Sequence, residues 1–172
     1  MTNLLMESFI RDEPMCHALG LTEKLAKPII ETLFLETAVR DKISYLAYDK
    51  RTEKVVCAYI GSLHRRDDVN DNYQIDNSKN PLINVMDFLD ILGSGIWQIL
   101  PEDGMCNEEA QRLGCKYAVS LATSYQTQVL NEKLDFVTHR FINYSDYRVL
   151  GRAVFANAPP PHTCAKLMIK KF

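Results

Sequence analysis

The stretch KYAVSLATSYQTQVLNEKLDF, residues 116–136, decides the fold class. Lys116 to Ala122 is predicted to form a buried strand. Thr123 or Ser124 can then cap a helix that runs to Leu134, since a hydroxyl oxygen accepts a hydrogen bond from an unpaired N–H of the first helical turn. Phe136 to Tyr144 is predicted to form another strand. A strand, a capped helix and a strand in close succession indicate a sheet flanked by helices.

The rest of the chain also divides into short helices and strands. The first half is predicted to contain an N-terminal helix closed by Pro14, a helix from Glu23 to Val39, and a hairpin from Ile43 to Leu63 with its loop at Asp49 to Thr52. A surface loop from Arg65 to Pro81 is predicted to follow, and then a helix from Pro81 through Leu92 that breaks near Gly93 and Gly95. The other predicted elements are a short helical piece from Asn107 to Leu113 and a final strand from Ala165 to Ile169. The predicted fold class is therefore α/β (α+β) with a mixed sheet, in a single domain over residues 1–172.

Composition and charge exclude several classes of protein. The 172 residues include 20 Lys and Arg against 22 Asp and Glu, a formal net charge of −2, and 47% of them are apolar. This is the balance of a globular domain, and it gives no general attraction to nucleic acid or to an anionic membrane. The longest stretch without a charged residue, Tyr117 to Asn131, is shorter than the ~20 apolar residues of a membrane span. We therefore expect no nucleic-acid partner and no membrane partner.

The cysteines and histidines form no pattern that is typical of a metal or disulfide site. The five cysteines are an odd number without a C-x-x-C pair, which predicts reduced thiols of a cytoplasmic protein. His17, His139 and His162 are far apart in the sequence and have no carboxylates at helical spacing, so we expect no metal.

Four stretches of the sequence resemble one enzyme family. TSYQTQVLNEKLDF, residues 123–136, is similar to the strand-to-helix segment of the GNAT-superfamily N-acetyltransferases. SFIRDEPM, residues 8–15, resembles the F-x-x-D/E-E-P motif of the arylalkylamine, or dopamine-type, N-acetyltransferases. INYSDYRVLGRAVF, residues 142–155, and PPPHTCAKLMIKK, residues 159–171, resemble the C-terminal half of that subgroup. The resemblance runs from about Glu7 to Met168, and it implies a GNAT-like mixed central sheet flanked by helices.

The resemblance implies roles for three residues. Glu13 takes the place of the acid that acts as general base on the substrate amine through water. Thr123 and Thr127 take the places of two catalytic hydroxyl residues, and Thr127 is also expected to contact the co-substrate acetyl-CoA. An ammonium ion must lose a proton before it attacks a thioester, and hydroxyls can hydrogen-bond the departing thiolate. Without the resemblance, Glu13 would be a solvated acid at a helix end, and the two threonines would be a helix cap and a first-turn residue.

The sequence also departs from the family pattern. The family binds the acetyl-CoA pyrophosphate with an R/Q-x-x-G-x-G/A loop at a helix N-terminus, where unpaired N–H groups and the helix dipole favour phosphate. We expect none of the seven glycines to lie in that pattern. We expect the loop and the central strand before it to be missing near residues 104–106, and the first strand to be missing at the N-terminus. The family's tyrosine in L-Y-E-K is Asn131. These departures indicate a shortened acetyltransferase, from a splice form or an incomplete gene model.

Two hypotheses of function follow. In the first, the chain is an acetyl-CoA-dependent N-acetyltransferase for an arylalkylamine such as dopamine, octopamine, tyramine or serotonin. In the second, it is a catalytically inactive remnant of the GNAT fold that acts as a binding or dimerising module; its oligomeric state is open. Loss of a central strand predicts two units, Ile43 to Leu63 and Lys116 to Ile169, that meet across a gap or pair edge to edge. It also predicts low thermal stability and a tendency to aggregate.

Overall fold

The computed structural model describes residues 5–31, 35–63, 81–100 and 116–172. Three sequence predictions lie outside the described residues: the surface loop, apart from its last residue Pro81, the helical piece at residues 107–113 and the loss near residues 104–106.

The N-terminal part of the chain is helical. Its elements are a π-helical turn Leu5–Phe9 and the helices α1 (Ile10–Asp12), α2 (Pro14–Ala18), α3 (Glu23–Ile30) and α4 (Glu36–Asp41). The proline at the first position of α2 keeps the preceding residue, Glu13, out of the helical region, at φ −71° and ψ 125°. Pro14 therefore closes the first helix, as predicted, and also begins the next one. The predicted helix from Glu23 to Val39 is helical in both of its described parts.

The described strands form a hairpin, a three-stranded sheet and a second, small hairpin. They are β1 (Tyr45–Tyr48), β2 (Val55–Tyr59), β3 (Tyr117–Ala122), β4 (Val137–Asn143), β5 (Arg148–Val149), β6 (Arg152–Ala153) and β7 (Cys164–Lys171). β1 pairs with β2, β5 pairs with β6, and β7 lies between β3 and β4. Every one of these pairs is antiparallel. β7 lies between β3 and β4 and runs antiparallel to both, so the described part of this sheet is antiparallel. The sequence, in contrast, predicts a mixed sheet.

The β1–β2 hairpin shares no strand pair with the three-stranded sheet among the described residues. Pairing edge to edge is therefore not the arrangement that these strands adopt. Residues 59–62, at the end of the hairpin, and residues 118–121 of β3 instead line a common cavity. Residues 64–80 and 101–115, which connect the two units, lie outside the described residues, so the predicted gap between the units stays a prediction.

Three more helices pack against the sheet or extend from its ends: α5 (Leu82–Gly93), α6 (Ile96–Ile99) and α7 (Tyr125–Lys133). The first of them buries four apolar side chains three or four residues apart: Leu82, Val85, Phe88 and Leu92. The chain leaves α5 and enters α6 through Gly95, whose φ of 69° lies in the left-handed region that favours glycine. The predicted break near Gly93 and Gly95 is confirmed.

The stretch Leu82–Ile99 is the one described helical segment with the length and composition of a membrane span. It contains Asp87 and Asp90, and its helix is interrupted at Gly95. Phe88 and Leu92 are completely buried in the core. Ile83, Ile91 and Ile99 of the same segment are exposed, so the core accounts for only part of its apolar character.

An aromatic cluster connects the N-terminal helices to the sheet. Phe88 and Phe155 are completely buried, and their rings pack edge to face with centroids 5.2 Å apart. The Tyr144 ring lies 5.8 Å from Phe88 and 5.9 Å from Phe155, and the Tyr147 ring stacks on Phe155 at 5.4 Å. Met15 of α2 belongs to the same core. The cluster thus holds α2, α5 and the segment that follows β4 together.

Candidate active site

Glu13 lies in the connection between α1 and α2, and only 6% of it is exposed. Its Oε2 atom accepts a hydrogen bond of 2.6 Å from the Cys16 N–H, which makes Glu13 the N-cap residue of α2. The sequence Asp12-Glu13-Pro14 builds this geometry, because Pro14 starts the helix and the extended residue before it can turn its side chain over the first turn. The interpretation of Glu13 as a solvated acid is therefore wrong.

The second carboxylate oxygen of Glu13 has no hydrogen-bond partner. Within the described residues, Oε1 is the one buried side-chain oxygen or nitrogen that lacks a partner. Leaving a buried polar atom unpaired costs about 1–3 kcal/mol, and more when the group is charged. Such an atom requires an explanation, and a ligand that donates a hydrogen bond to it is one.

The negative charge of Glu13 acts on two neighbouring groups. Burial and the Glu13 carboxylate raise the pKa of the Cys16 thiol far above its usual range. Burial and the same carboxylate also raise the pKa of the Tyr144 hydroxyl. Both groups therefore keep their protons, and neither competes with Glu13 as a base.

Thr123 directly follows β3, and its backbone is fixed by Tyr144. The Tyr144 hydroxyl donates a hydrogen bond of 2.6 Å to the Thr123 carbonyl oxygen. Tyr144 is 2% exposed, and its ring packs against Phe88 and Phe155. The phenol thus connects the end of β3 to the core that also holds α2. The sequence alone does not indicate this role, because it depends on two segments 21 residues apart.

Ser124 is the N-cap residue of α7, which decides between the two caps that the sequence allows. Its Oγ accepts a hydrogen bond of 3.1 Å from the Thr127 N–H and lies 2.8 Å from Thr127 Oγ1. His162 Nδ1 accepts a second N–H of the first turn, from Tyr125, at 3.0 Å. Since the Ser124 oxygen already accepts from the Thr127 N–H, its own proton can go to Thr127 Oγ1. The Thr127 hydroxyl proton is then available to another acceptor.

One cavity of about 1090 Å³ brings the three predicted residues together. Glu13, Thr123 and Thr127 all line it, and most of its other lining residues are apolar or aromatic. Among the described residues that line it, Glu13 has the only carboxylate side chain and Lys170 the only cationic side chain. A single negative charge in a largely apolar cavity favours a ligand with one positive charge and an apolar body.

The cavity also contains a polar pair, Ser120 on β3 and Asn131 on α7. Asn131 is 7% exposed, and its Nδ2 donates to Ser120 Oγ at 2.8 Å. The neighbouring Gln128 donates to backbone carbonyl oxygens at the ends of β3 and β7. A serine in a strand and an asparagine in a helix have no sequence pattern of their own, so only the structure identifies the pair.

In the described part of the chain, no three His, Cys, Asp or Glu side chains are grouped so that they could hold a metal ion. The described cysteines Cys16, Cys57 and Cys164 are free thiols.

Comparison with known proteins identifies the fold. No protein-family model and no curated protein matches the sequence. Among solved structures, arylalkylamine N-acetyltransferase 2 from Aedes aegypti is similar with a TM-score of 0.79 and 20% identity, over 97% of this chain and 90% of its own. The Drosophila melanogaster polyamine N-acetyltransferase, which forms N-acetylagmatine, has a TM-score of 0.73 and 11% identity, and the match covers 99% of this chain and 93% of that enzyme. The C-terminal condensation domain of Ebony, in complex with β-alanyl-dopamine, has a TM-score of 0.76 and 18% identity, and the match covers 99% of this chain and 92% of that domain.

The chain has the GNAT fold. The resemblance found in the sequence is thereby confirmed for the fold. The neighbours themselves differ in the amine that their names give, an arylalkylamine in one and a polyamine in the other. The fold therefore does not select the amine, and the residues that line the cavity must do so.

The expectation that no glycine lies in the pattern R/Q-x-x-G-x-G/A is wrong, because its letters occur as RVLGRA at Arg148–Ala153. The structure forms β5, a turn and β6 there, with positive φ at Leu150 and Gly151. Arg148 Nη1 donates to the Gly151 carbonyl oxygen at 3.1 Å. Because a hairpin has no helix N-terminus, this stretch does not provide the phosphate-binding geometry. Residues 104–106, where the loop is expected in family order, lie outside the described residues.

Proposed function

We propose that the chain is an N-acetyltransferase that transfers the acetyl group of acetyl-CoA to the amine of an arylalkylamine. The observation that carries the proposal is the unpaired, buried Oε1 of Glu13 on a cavity that Thr123 and Thr127 also line. An ammonium ion would satisfy this oxygen. Loss of its proton to Glu13, directly or through one water molecule, yields the neutral amine that reacts.

The residues of the cavity divide the proton transfers between them. Acetyl-CoA supplies the acetyl group as a thioester, whose C–S bond breaks as the new C–N bond forms. Glu13 accepts the first proton of the ammonium ion and later releases it to solvent. The second proton that the nitrogen loses balances the proton that converts the departing thiolate to a thiol. Thr127, which can receive a hydrogen bond from Ser124, is the hydroxyl in the best position to donate to that sulfur, with Thr123 beside it.

The charge of the cavity supports an arylalkylamine rather than a polyamine. A polyamine or agmatine has a second cation, which would lie among apolar side chains without a described carboxylate to pair with it. Burying an unpaired charge costs several kcal/mol. An arylalkylamine places its one cation at Glu13 and its ring against apolar residues such as Ile43 and Leu89. The Ebony domain offers a parallel, since β-alanyl-dopamine is an N-acylated arylalkylamine.

A non-catalytic module is the alternative, and one observation favours it. The sequence contains no R/Q-x-x-G-x-G/A loop ahead of a helix, so a site for the pyrophosphate of acetyl-CoA is not evident. A chain without that site would still bind an amine at Glu13.

Purified full-length chain, acetyl-CoA and a panel of amines test the proposal. We expect turnover with tyramine and dopamine, and kcat/KM values at least about tenfold lower for agmatine and spermidine, because their second cation has no partner. Calorimetry with acetyl-CoA is run in parallel. Amine binding without acetyl-CoA binding or turnover would favour the module, and a preference for spermidine would contradict the proposed substrate class.

A further inference from the structure

The tip of the β5–β6 hairpin carries a leucine that projects into solvent. Leu150 is 99% exposed, whereas the next most exposed large apolar side chain of the described residues, Val39, is 71% exposed. The φ of Leu150 is 49°, in the left-handed region that a bulky side chain disfavours and that glycine occupies easily. Neither packing within the chain nor the backbone geometry therefore favours a leucine at this position. Such a backbone outlier is typical of a functional position.

Two arginines flank this leucine. Arg148 of β5 and Arg152 of β6 lie two residues before it and two residues after it, and both are exposed. Arg148 Nη1 donates to the Gly151 carbonyl oxygen, and no described carboxylate forms an ion pair with either guanidinium group. Because a guanidinium group presents its donors in a planar fork, the hairpin tip offers an apolar side chain between two groups that bind carboxylates.

The exposed face of α5 has the complementary composition. This α5 face consists of Ile83, Asp87, Asp90 and Ile91, which are three or four residues apart or adjacent and therefore share one side of the helix. Its two isoleucines belong to the apolar side chains that the core does not bury. No described basic side chain forms an ion pair with either aspartate. Burial and the Asp87 charge raise the pKa of the Asp90 carboxyl, so a cation beside the two carboxylates would relieve their repulsion.

The hairpin and the α5 face adjoin each other on the molecule. Tyr147, the residue before β5, packs edge to face on Phe88 of α5, with ring centroids 5.1 Å apart. Burial and the charge of Asp87 raise the pKa of the Tyr147 hydroxyl, so this carboxylate lies near the base of the hairpin. Two adjacent surfaces that are complementary but unpaired within one chain can pair twice across a two-fold axis, each hairpin on the α5 face of the other copy.

We propose that a second copy of this chain binds here, with the hairpin tip of each copy docked on the α5 face of the other. Leu150 then lies against the exposed isoleucines, and the two arginines pair with the two aspartates. A formal net charge of −2 opposes this association only weakly. Since a hairpin tip and one helix face form a small interface, we expect a weak dimer with a Kd of about 10–100 µM. None of these residues lines the cavity, so the inference does not depend on the proposed function.

Sedimentation velocity of the full chain over a range of concentrations measures the dimer. The Kd should rise at least about threefold when the salt concentration rises from about 0.05 to 0.5 M, because salt screens the ion pairs. Leu150→Gly should raise the Kd at least about tenfold, since each dimer loses two buried leucines. The same variant should not lower Tm, because glycine adopts a positive φ without strain. A chain that is monomeric at about 500 µM, or a dimer that Leu150→Gly does not weaken, would overturn the proposal.

An exchange of charges identifies the two surfaces. Arg152→Glu and Asp90→Arg should each abolish self-association, because like charges then face each other in both halves of the interface. An equal mixture of the two variants should dimerise with a Kd within about fivefold of that of the unmodified chain, because opposite charges again meet in both halves. Arg51→Glu is the control: it makes the same change of net charge in the exposed turn between β1 and β2, and it should change the Kd by less than about twofold. A mixture that stays monomeric, or an equal loss of the dimer in the control, would contradict the proposed pairing.

Discussion

Replacing Glu13 by glutamine is expected to stabilise the chain, although it removes the proposed base. One carboxylate oxygen of Glu13 caps α2 through the Cys16 N–H, and the other is buried without a partner. Glutamine keeps a carbonyl oxygen for the cap and removes the charge, whereas alanine removes both. The two substitutions should therefore change the free energy of unfolding in opposite directions.

The burial of Glu13 sets the size of the two effects. For Glu13→Ala, loss of the N-cap lowers the free energy of unfolding by about 1 kcal/mol, and the space left by a side chain with 6% exposure lowers it further. For Glu13→Gln, a neutral amide costs less to bury than a carboxylate with an unpaired oxygen. No described basic residue forms an ion pair with this carboxylate that would be lost. We expect the free energy of unfolding to rise by about 1 kcal/mol.

Urea unfolding followed by circular dichroism measures both changes. The gain for Glu13→Gln should appear as a higher midpoint at an unchanged m value. Asp12→Asn is the matched control, because Asp12 is the adjacent acid but is exposed and paired with Arg11, and its substitution should change stability by less than ~1 kcal/mol. If Glu13→Gln destabilises the chain as much as Glu13→Ala does, then Oε1 is not an unpaired buried charge.

Three further predictions concern the surroundings of the site. Tyr144→Phe should lower the free energy of unfolding by about 1 kcal/mol and should also lower kcat, because it removes the hydrogen bond to the Thr123 carbonyl oxygen. In the same urea and rate assays, the control Tyr147→Phe should change both quantities less. Arg140→Ala should lower Tm, since Arg140 Nη1 bonds three carbonyl oxygens at the end of α5, and an unchanged melting curve would contradict that role. At pH 8 a thiol reagent should label the exposed Cys57 in the folded chain, and Cys16 only after unfolding, because burial and the nearby carboxylate raise the pKa of Cys16. Mass spectrometry detects the labelled residues, and rapid labelling of Cys16 in the folded chain would contradict its burial.

The sequence is sufficient for elements that depend on local signals. Pro14 ends the helix before it whatever the rest of the fold is, because a proline cannot continue a helix. The hydroxyl groups that follow β3 can likewise cap a helix in any fold. The order of strand, helix and strand from β3 to β4 is therefore predicted correctly. The quoted motifs also lead to the GNAT fold, which the solved structures support.

The sequence is insufficient where a contact joins distant segments. Glu13 has the same local sequence whether its carboxylate is solvated or buried, and the core that buries it includes residues of α5 and β7. The β5–β6 hairpin turns at Leu150 and Gly151, where a leucine with positive φ carries no turn signal. Ser120 and Asn131 meet only because α7 packs on β3.

The most direct test of the account is the rate of acetyl transfer by the Glu13→Gln variant, with Asp12→Asn as the control. If Glu13 is the general base, kcat/KM for tyramine should fall by about 10²–10⁴-fold in Glu13→Gln and stay within about twofold in Asp12→Asn. The loss should become smaller as the pH rises towards the pKa of the amine, because a neutral amine no longer needs a base. A Glu13→Gln chain that is folded and transfers acetyl at the rate of the unmodified chain would contradict the central claim.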